Sequence, residues 1–197
     1  MNSRQLILAS SSPRRQTILH DAGFRHRVEP PEVEEFNDPH ASPVAVVHHN
    51  ARIKAMDINS RYPGEIIISA DTVVMHQHDL LGKPENREQA YDMLRRLSGD
   101  THQVHTGVCV MGGEENIDDI LLDVSDVTFK PFTEDVIQQY FSVVDPLDKA
   151  GGYGIQDGAS LILERYSGSY TNIMGLPIEK LESFLEEKGL ASRYRIA

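Results

Sequence analysis

Three stretches of the chain combine residue types that ordinary packing does not need. In the first, Glu65-Ile-Ile-Ile-Ser-Ala-Asp71-Thr72, a β-branched run ends in an acid. Ile66, Ile67 and Ile68 suit a strand buried on both faces, and such a strand would carry Asp71 to the border of the core. Lys83 follows within Leu80-Leu-Gly-Lys-Pro84. A carboxylate and an ammonium delivered in this way suit proton transfer or cation binding. The plain alternatives are a strand-end Asp-Thr turn and a solvated loop lysine.

The second stretch is Ser10-Ser-Ser-Pro-Arg14-Arg15. Ser12 suits a helix N-cap and Pro13 the first helical position. Arginines in a first turn oppose the helix dipole, each at a cost of roughly 0.3–1 kcal/mol. An anion at that end removes the conflict. Ser10, Ser12, Arg14, Arg15 and the backbone N–H groups would then form a phosphate cradle. The alternative is a capped helix with two solvated arginines.

The third, Asp145 to Gly158, holds four glycines that allow a ligand close to the backbone, and Gln156, which can read a base edge. It lacks the Gly-Lys-Ser/Thr ending of a Walker A loop, and a plain flexible loop is the alternative. Lys54 borders an apolar helix face, where snorkelling would also explain it. Glu32, Glu34 and Glu35 form either a solvated acidic loop or a source of a second carboxylate, beside Asp71, for a divalent metal. The histidines lack the partners of a closed zinc site, Cys109 sits among valines as a small core residue, and no Gly-x-Ser-x-Gly elbow is present.

The elements that must position these groups alternate. Strands are predicted at 5–10, 26–28, 65–74, 102–111, 117–130 and 161–163. Helices are predicted at 13–22, 43–60, from the Asn86 cap to Gly99, 133–144 and 177–188, with an acidic, proline-rich loop at 30–39. An antiparallel hairpin set among α/β units argues for an α/β fold: one mixed twisted sheet flanked by helices, in two lobes with a central cleft. The 197 residues show no repeat or linker and are read as a single domain, 1–197.

Formal net charge is −11, which disfavours nucleic acid and anionic membrane as partners. A bound anion would need a local cluster of cations. One cysteine, no signal-like leader and no long apolar run lead to the expectation of a cytoplasmic protein.

Taken in order, Leu8-Ala-Ser-x-Ser-Pro-Arg-Arg15, Glu35, Lys54, Ala70-Asp-Thr72, Gly82-Lys-Pro84, His105-Thr-Gly107, Pro146-x-Asp-Lys-Ala-Gly151, Tyr153-Gly-Ile-Gln156, Gly168-Ser-Tyr170 and Gly175-Leu-Pro177 resemble the Maf family of nucleoside triphosphate pyrophosphatases. The resemblance covers nearly the whole chain. It implies a fold related to inosine triphosphate pyrophosphatases and a homodimer. It also implies hydrolysis of a nucleoside triphosphate to monophosphate and pyrophosphate with Mg²⁺ or Mn²⁺. Within the family, Pro-Arg-Arg, Ala-Asp-Thr and Tyr-Gly-Ile-Gln mark the branch acting on dTTP and UTP. The branch acting on 7-methyl-GTP carries tryptophan, glutamine and glutamate at the positions of Arg14, Thr72 and Gln156. By that likeness Asp71 is the proton acceptor, and Arg14, Thr72 and Gln156 set specificity. Asp145 departs from the family's usual glutamate.

The residues and the resemblance together predict phosphate binding by Ser10, Ser12, Arg14, Arg15, Lys54 and Lys83, and metal binding by Glu35 and Asp71. The competing readings are a nucleotide-binding regulator of growth or division without turnover, and a pyrophosphatase for a modified purine nucleotide such as 7-methyl-GTP.

Overall fold

The computed structural model describes residues 5–38 and 41–196; Pro39, the last residue of the expected acidic loop, lies outside them. In chain order the elements are β1 (Leu6–Ala9), α1 (Pro13–Asp21), β2 (His26–Val28), α2 (Pro43–Arg61), β3 (Ile66–His76), β4 (Asp79–Leu81), α3 (Arg87–Leu97), β5 (Thr101–Gly112) and β6 (Ile117–Phe129). They continue with α4 (Glu134–Phe141), a 3-10 turn at Ala150–Gly152, α5 (Ala159–Ile162), β7 (Leu163–Ser167), α6 (Tyr170–Ile173), α7 (Ile178–Glu187) and α8 (Ala191–Tyr194).

The strands form one mixed sheet in the order β2-β1-β3-β5-β6-β7, with β4 also on β3. β1 runs parallel to both β2 and β3, and the remaining pairings are antiparallel. Ile66, Ile67 and Ile68 are fully buried, as a run with no polar alternation requires. Each buried isoleucine side chain stabilises the fold by roughly 1.5–3 kcal/mol.

The pairing of β3 creates the cleft. Along one edge it pairs continuously with β5, from Ile66 opposite Gly112 to Met75 opposite Gln103. Along the other edge it pairs with β1 only as far as Ser69, and with β4 only from Val74 onward. Ala70, Asp71, Thr72 and Val73 therefore have no strand partner on that edge among the described residues. The sheet divides at this gap.

On one side of the gap, β1 packs its Leu6 and Leu8 with Ile66 and Ile68 against α1, α7 and α8 through Leu19, Leu181, Leu185 and Tyr194. On the other side, α3 and α4 close over the far end of the sheet, burying Val74, Leu94, Val104, Phe129, Tyr140 and Tyr153. Helix α2 covers the back of the first lobe with Ala51, Ala55 and Ile58 on Ile7, Ile67 and Cys109.

Three local expectations need correction. Leu161 and Ile162 are helical, not extended, and the strand begins at Leu163. Gly158, with φ +65°, turns the chain into one helical turn that drops Ile162 into the core. The strand that follows is largely exposed, so it shows no apolar alternation. Helix α4 stops at Phe141 rather than Val144. Short helices α6 and α8 occupy stretches too brief for periodicity to reveal. The Asn86 cap is present, its side chain accepting from Gln89 N. Ser12 holds the N-cap position of α1 without a side-chain capping bond.

Candidate active site

Successive strand residues point to opposite faces of a sheet. In the gap of β3, Asp71 faces α2, and Thr72 faces α1 and Gly175.

On the α2 face, Lys54 Nζ donates to Asp71 Oδ1 at 2.8 Å and lies 3.0 Å from Glu35 Oε1. It also reaches the Ala70 carbonyl, on the unpaired stretch, at 3.5 Å. Its side chain is only 7 % exposed, so it turns inward and does not snorkel. Asn50, one helical turn earlier, donates through Nδ2 to Asp71 Oδ2 at 3.1 Å and to the Phe36 carbonyl at 3.0 Å. The Phe36 N–H donates back to Asn50 Oδ1 at 2.8 Å. One buried amide thus ties the Glu35–Phe36 loop to the Asp71 carboxylate. Helix α2 comes this close because Gly107 stands opposite Asp71 on β5, where an added Cβ would lie 2.8 Å from the Val47 carbonyl oxygen. Burial raises the Glu35 pKa, but the charge and hydrogen bond of Lys54, with the charges of Lys83 and Arg15, outweigh it. The net position is below the ordinary value of 4.5.

On the other face, Arg15 donates from Nε to the Gly175 carbonyl at 2.7 Å, from Nη2 to Thr72 Oγ1 at 3.1 Å and from Nη1 to Ser10 Oγ at 3.4 Å. Burial lowers its pKa below the ordinary guanidinium range, partly offset by Asp71. Thr72 Oγ1 also lies 3.0 Å from Thr106 Oγ1.

At the rim, Arg14 pairs with Asp148 of the glycine-rich loop, Nη1 to Oδ2 at 2.8 Å, and Nη2 donates to the Asp148 carbonyl at 3.2 Å. Lys149 Nζ holds the other Asp148 oxygen at 2.5 Å. Tyr140 fixes the loop further along: its hydroxyl donates to the Gly154 carbonyl and accepts from Gly154 N–H, both at 2.9 Å. Lys83 and Gln156 are exposed. Ser10 accepts from the Ser12 N–H at 3.2 Å.

All ten sequence-predicted site residues line one cleft of about 490 Å³: Ser10, Ser12, Arg14, Arg15, Glu35, Lys54, Asp71, Thr72, Lys83 and Gln156. That volume suits a small ligand. The cleft holds two carboxylates on a shared ammonium with further cations around them, an arrangement that neutralises and orients a polyanion.

The donor set also fits a divalent cation. Among the described residues no three His, Cys, Asp or Glu side chains gather as a closed cage. Glu35 and Asp71 both contact the Lys54 ammonium, and a hard ion of the Mg²⁺ kind, which commonly takes one or two carboxylates and completes its shell with phosphate and water, would take their remaining lone pairs beside it.

Sequence reasoning passed over Asn50, Thr106, Tyr140, Asp148 as the partner of Arg14, and Asn172. Asn50 left a readable trace, a polar residue four positions before Lys54 on the helix stripe of Val47, Ala51 and Ala55. Thr106 and Asn172 left none, because their partners are distant in sequence.

The mixed sheet with its flanking helices has the α/β fold seen in Ham1 proteins. It resembles a HAM1 protein from Coxiella burnetii at TM-score 0.54 and 14 % identity, over 93 % of this chain and 99 % of that one. It resembles the Staphylococcus aureus Ham1 protein at TM-score 0.51 and 13 % identity, over 94 % and 100 %. Within that fold the chain belongs to the Maf-like protein family, whose profile matches residues 5–188. A dTTP/UTP pyrophosphatase from Symbiobacterium thermophilum is 42 % identical over 186 residues, covering 94 % of this chain and 95 % of that protein. One of the same name from Dictyoglomus thermophilum is 42 % identical over 189 residues, covering 94 % and 97 %.

Proposed function

We propose that this chain hydrolyses dTTP and UTP between the α- and β-phosphates, releasing the monophosphate and pyrophosphate. The observation that carries the reading is the Lys54 ammonium bridging Asp71 and Glu35 beneath the cations of the cleft. The names of the curated relatives support the choice of nucleotide.

Water attack on the α-phosphorus is opposed by the negative oxygens around it, so the site must neutralise charge and hold the nucleophile. Arg14 and Lys83 take the outer phosphates, helped by Ser10, Ser12 and the α1 N-terminus. Arg15 and Lys54 are already bonded to protein groups and contribute mainly fixed positive charge. Each carboxylate oxygen of Asp71 carries one protein hydrogen bond and keeps one lone pair. Asp71 orients the water and takes its proton as the new P–O bond forms and the bridging P–O bond breaks; pyrophosphate leaves. Mg²⁺ or Mn²⁺, held by Glu35 and Asp71, would supply further charge neutralisation at the phosphate oxygens. Gln156, Thr72 and Arg14 select the base. A single domain working as a cytoplasmic homodimer completes the reading.

The test is pyrophosphate release from dTTP, UTP, CTP, 7-methyl-GTP and ITP, with Mg²⁺ or Mn²⁺ and without. Turnover confined to the pyrimidine nucleotides is expected, falling by a factor of about 10² or more in Asp71→Asn. Full turnover by a folded Asp71→Asn protein would remove Asp71 from its role.

A further inference from the structure

We propose that Thr106 and Asn172 set the polarity of the Thr72 hydroxyl, so that Thr72 meets the substrate only as a hydrogen-bond acceptor and takes the ring N3–H of uracil or thymine. This rests on the nucleotide reading above and adds two positioning residues and a stated mode of base selection.

The protons available fix the direction of each hydrogen bond. The Asn172 carbonyl accepts from Gly175 N–H at 2.9 Å and from Thr106 Oγ1 at 3.1 Å. A carbonyl cannot donate, so the one hydroxyl proton of Thr106 is committed to it. Thr106 Oγ1 and Thr72 Oγ1 lie 3.0 Å apart, and one must donate to the other. With the Thr106 proton already placed, the donor is Thr72. Arg15 Nη2 donates to Thr72 Oγ1 at 3.1 Å and occupies one of its two lone pairs. A single lone pair remains on a residue that lines the cleft.

The arrangement is held rigidly. Thr106 and Asn172 are both fully buried. The Asn172 side chain donates to the Val104 carbonyl at 3.1 Å and to Ser125 Oγ at 2.9 Å. Gly175, at φ +105°, takes a left-handed turn that aims its carbonyl at Arg15 and its N–H at Asn172.

Phosphate oxygens of a bound triphosphate accept and do not donate, so Thr72 has nothing to offer them although cations surround it. Its complement is a donor. N3–H is the ring N–H donor of uracil and thymine, whereas cytosine carries a lone pair at N3, and two lone pairs facing each other repel. An acceptor-only threonine therefore favours the imide bases over cytosine.

The experiment measures kcat/KM for UTP, CTP and N3-methyl-UTP with the unmodified protein, Thr106→Val and Thr106→Ser, each checked for folding by urea denaturation. The unmodified protein should lose about tenfold or more on CTP and on N3-methyl-UTP relative to UTP. Thr106→Val frees the Thr72 proton to point into the cleft and should narrow the UTP-to-CTP preference about tenfold. Thr106→Ser retains the hydroxyl and should keep the preference. Equal turnover of UTP and N3-methyl-UTP by the unmodified protein overturns the proposal without any variant. So does a Thr106→Val protein slowed equally on UTP and CTP, or a serine variant that behaves like the valine one. If neither UTP nor dTTP is hydrolysed, the nucleotide reading itself has failed and the proposal falls with it. UTP turnover with unmoved ratios overturns the proton arrangement alone.

Discussion

Lys54 Nζ lies 2.8 Å from Asp71 Oδ1 in a setting where both side chains are less than a tenth exposed. The same ammonium holds Glu35 at 3.0 Å, so one cation balances two carboxylates. Taking two charges out of water is costly, and the contact offsets that cost only while both partners are present.

Lys54→Met should therefore act twice. It leaves two acids facing each other, and the expected loss of stability is about 3 kcal/mol. It also removes fixed positive charge from the reaction centre, with kcat/KM expected to fall by about 10² or more. Urea denaturation beside steady-state turnover checks both. A variant with undiminished stability and turnover would mean that the bridge contributes to neither.

Asn50 offers a second test. Replacing it with leucine removes the donor on Asp71 Oδ2 and leaves both Phe36 backbone groups without their partner. The expected outcome is a kcat about tenfold lower with KM little changed, because Asn50 orients the carboxylate and its amide protons are committed to Asp71 and Phe36. Stability should fall by about 1–3 kcal/mol. A rise in KM at constant kcat would point to a binding role.

The Arg14–Asp148 pair competes with any phosphate for the same guanidinium. Asp148→Asn should lower KM for the nucleotide about threefold, in keeping with the modest worth of exposed ion pairs. Partial burial raises the Asp148 pKa, but hydrogen bonds and charge from Lys149 and Arg14 outweigh it, so the net shift is downward from 3.8. Whatever the pair adds to stability is fully present above 3.8 and is lost only as pH falls through the lower folded-state value. The KM difference between the two proteins should accordingly stay constant from pH 5 to 8.

His102 predicts an acid-side slope in stability. Burial, with a smaller contribution from His76, pushes its pKa from 6.5 down to about 3. Its Nε2 lies 2.7 Å from the Tyr153 hydroxyl, which a neutral ring can accept. The unfolded chain binds a proton below 6.5 that the native protein refuses until about 3, so stability falls as pH drops through that window. Between pH 6.5 and 5 the loss from this group is about 2 kcal/mol. His102→Gln, which still offers Tyr153 an acceptor, should flatten the slope. Equal slopes in the two proteins would show that His102 is not its source.

Much of this site was legible because its charged members sit where local rules are broken. Arg14 and Arg15 oppose a helix dipole, and Asp71 ends a run of isoleucines. The main strands and the longer helices were legible from apolar patterning and from caps such as Asn86. Asn50, Thr106 and Asn172 were not legible, since each has its meaning only through groups on other elements. The Arg14–Asp148 contact spans 134 positions, and nothing near either residue announces it. Leu161 to Leu163 misled for a different reason: an apolar triplet fits a buried helical turn as well as a strand, and only the left-handed Gly158 before it decides.

Asp71 and Thr72 are chain neighbours on opposite faces of β3, and this makes strand register a functional coordinate as well as a structural one. A slip of one residue would exchange the two faces. The threonine would meet Lys54, the carboxylate would meet Arg15, and Gly107, which lets α2 approach, would no longer stand opposite the acid. An inserted residue just before Asp71 would thus invert the site while altering little of its composition. Among the described residues the stretch from Ala70 to Val73 is held by β5 alone, so the long ladder from Ile66 to Met75 is what keeps acid and selector on their proper sides.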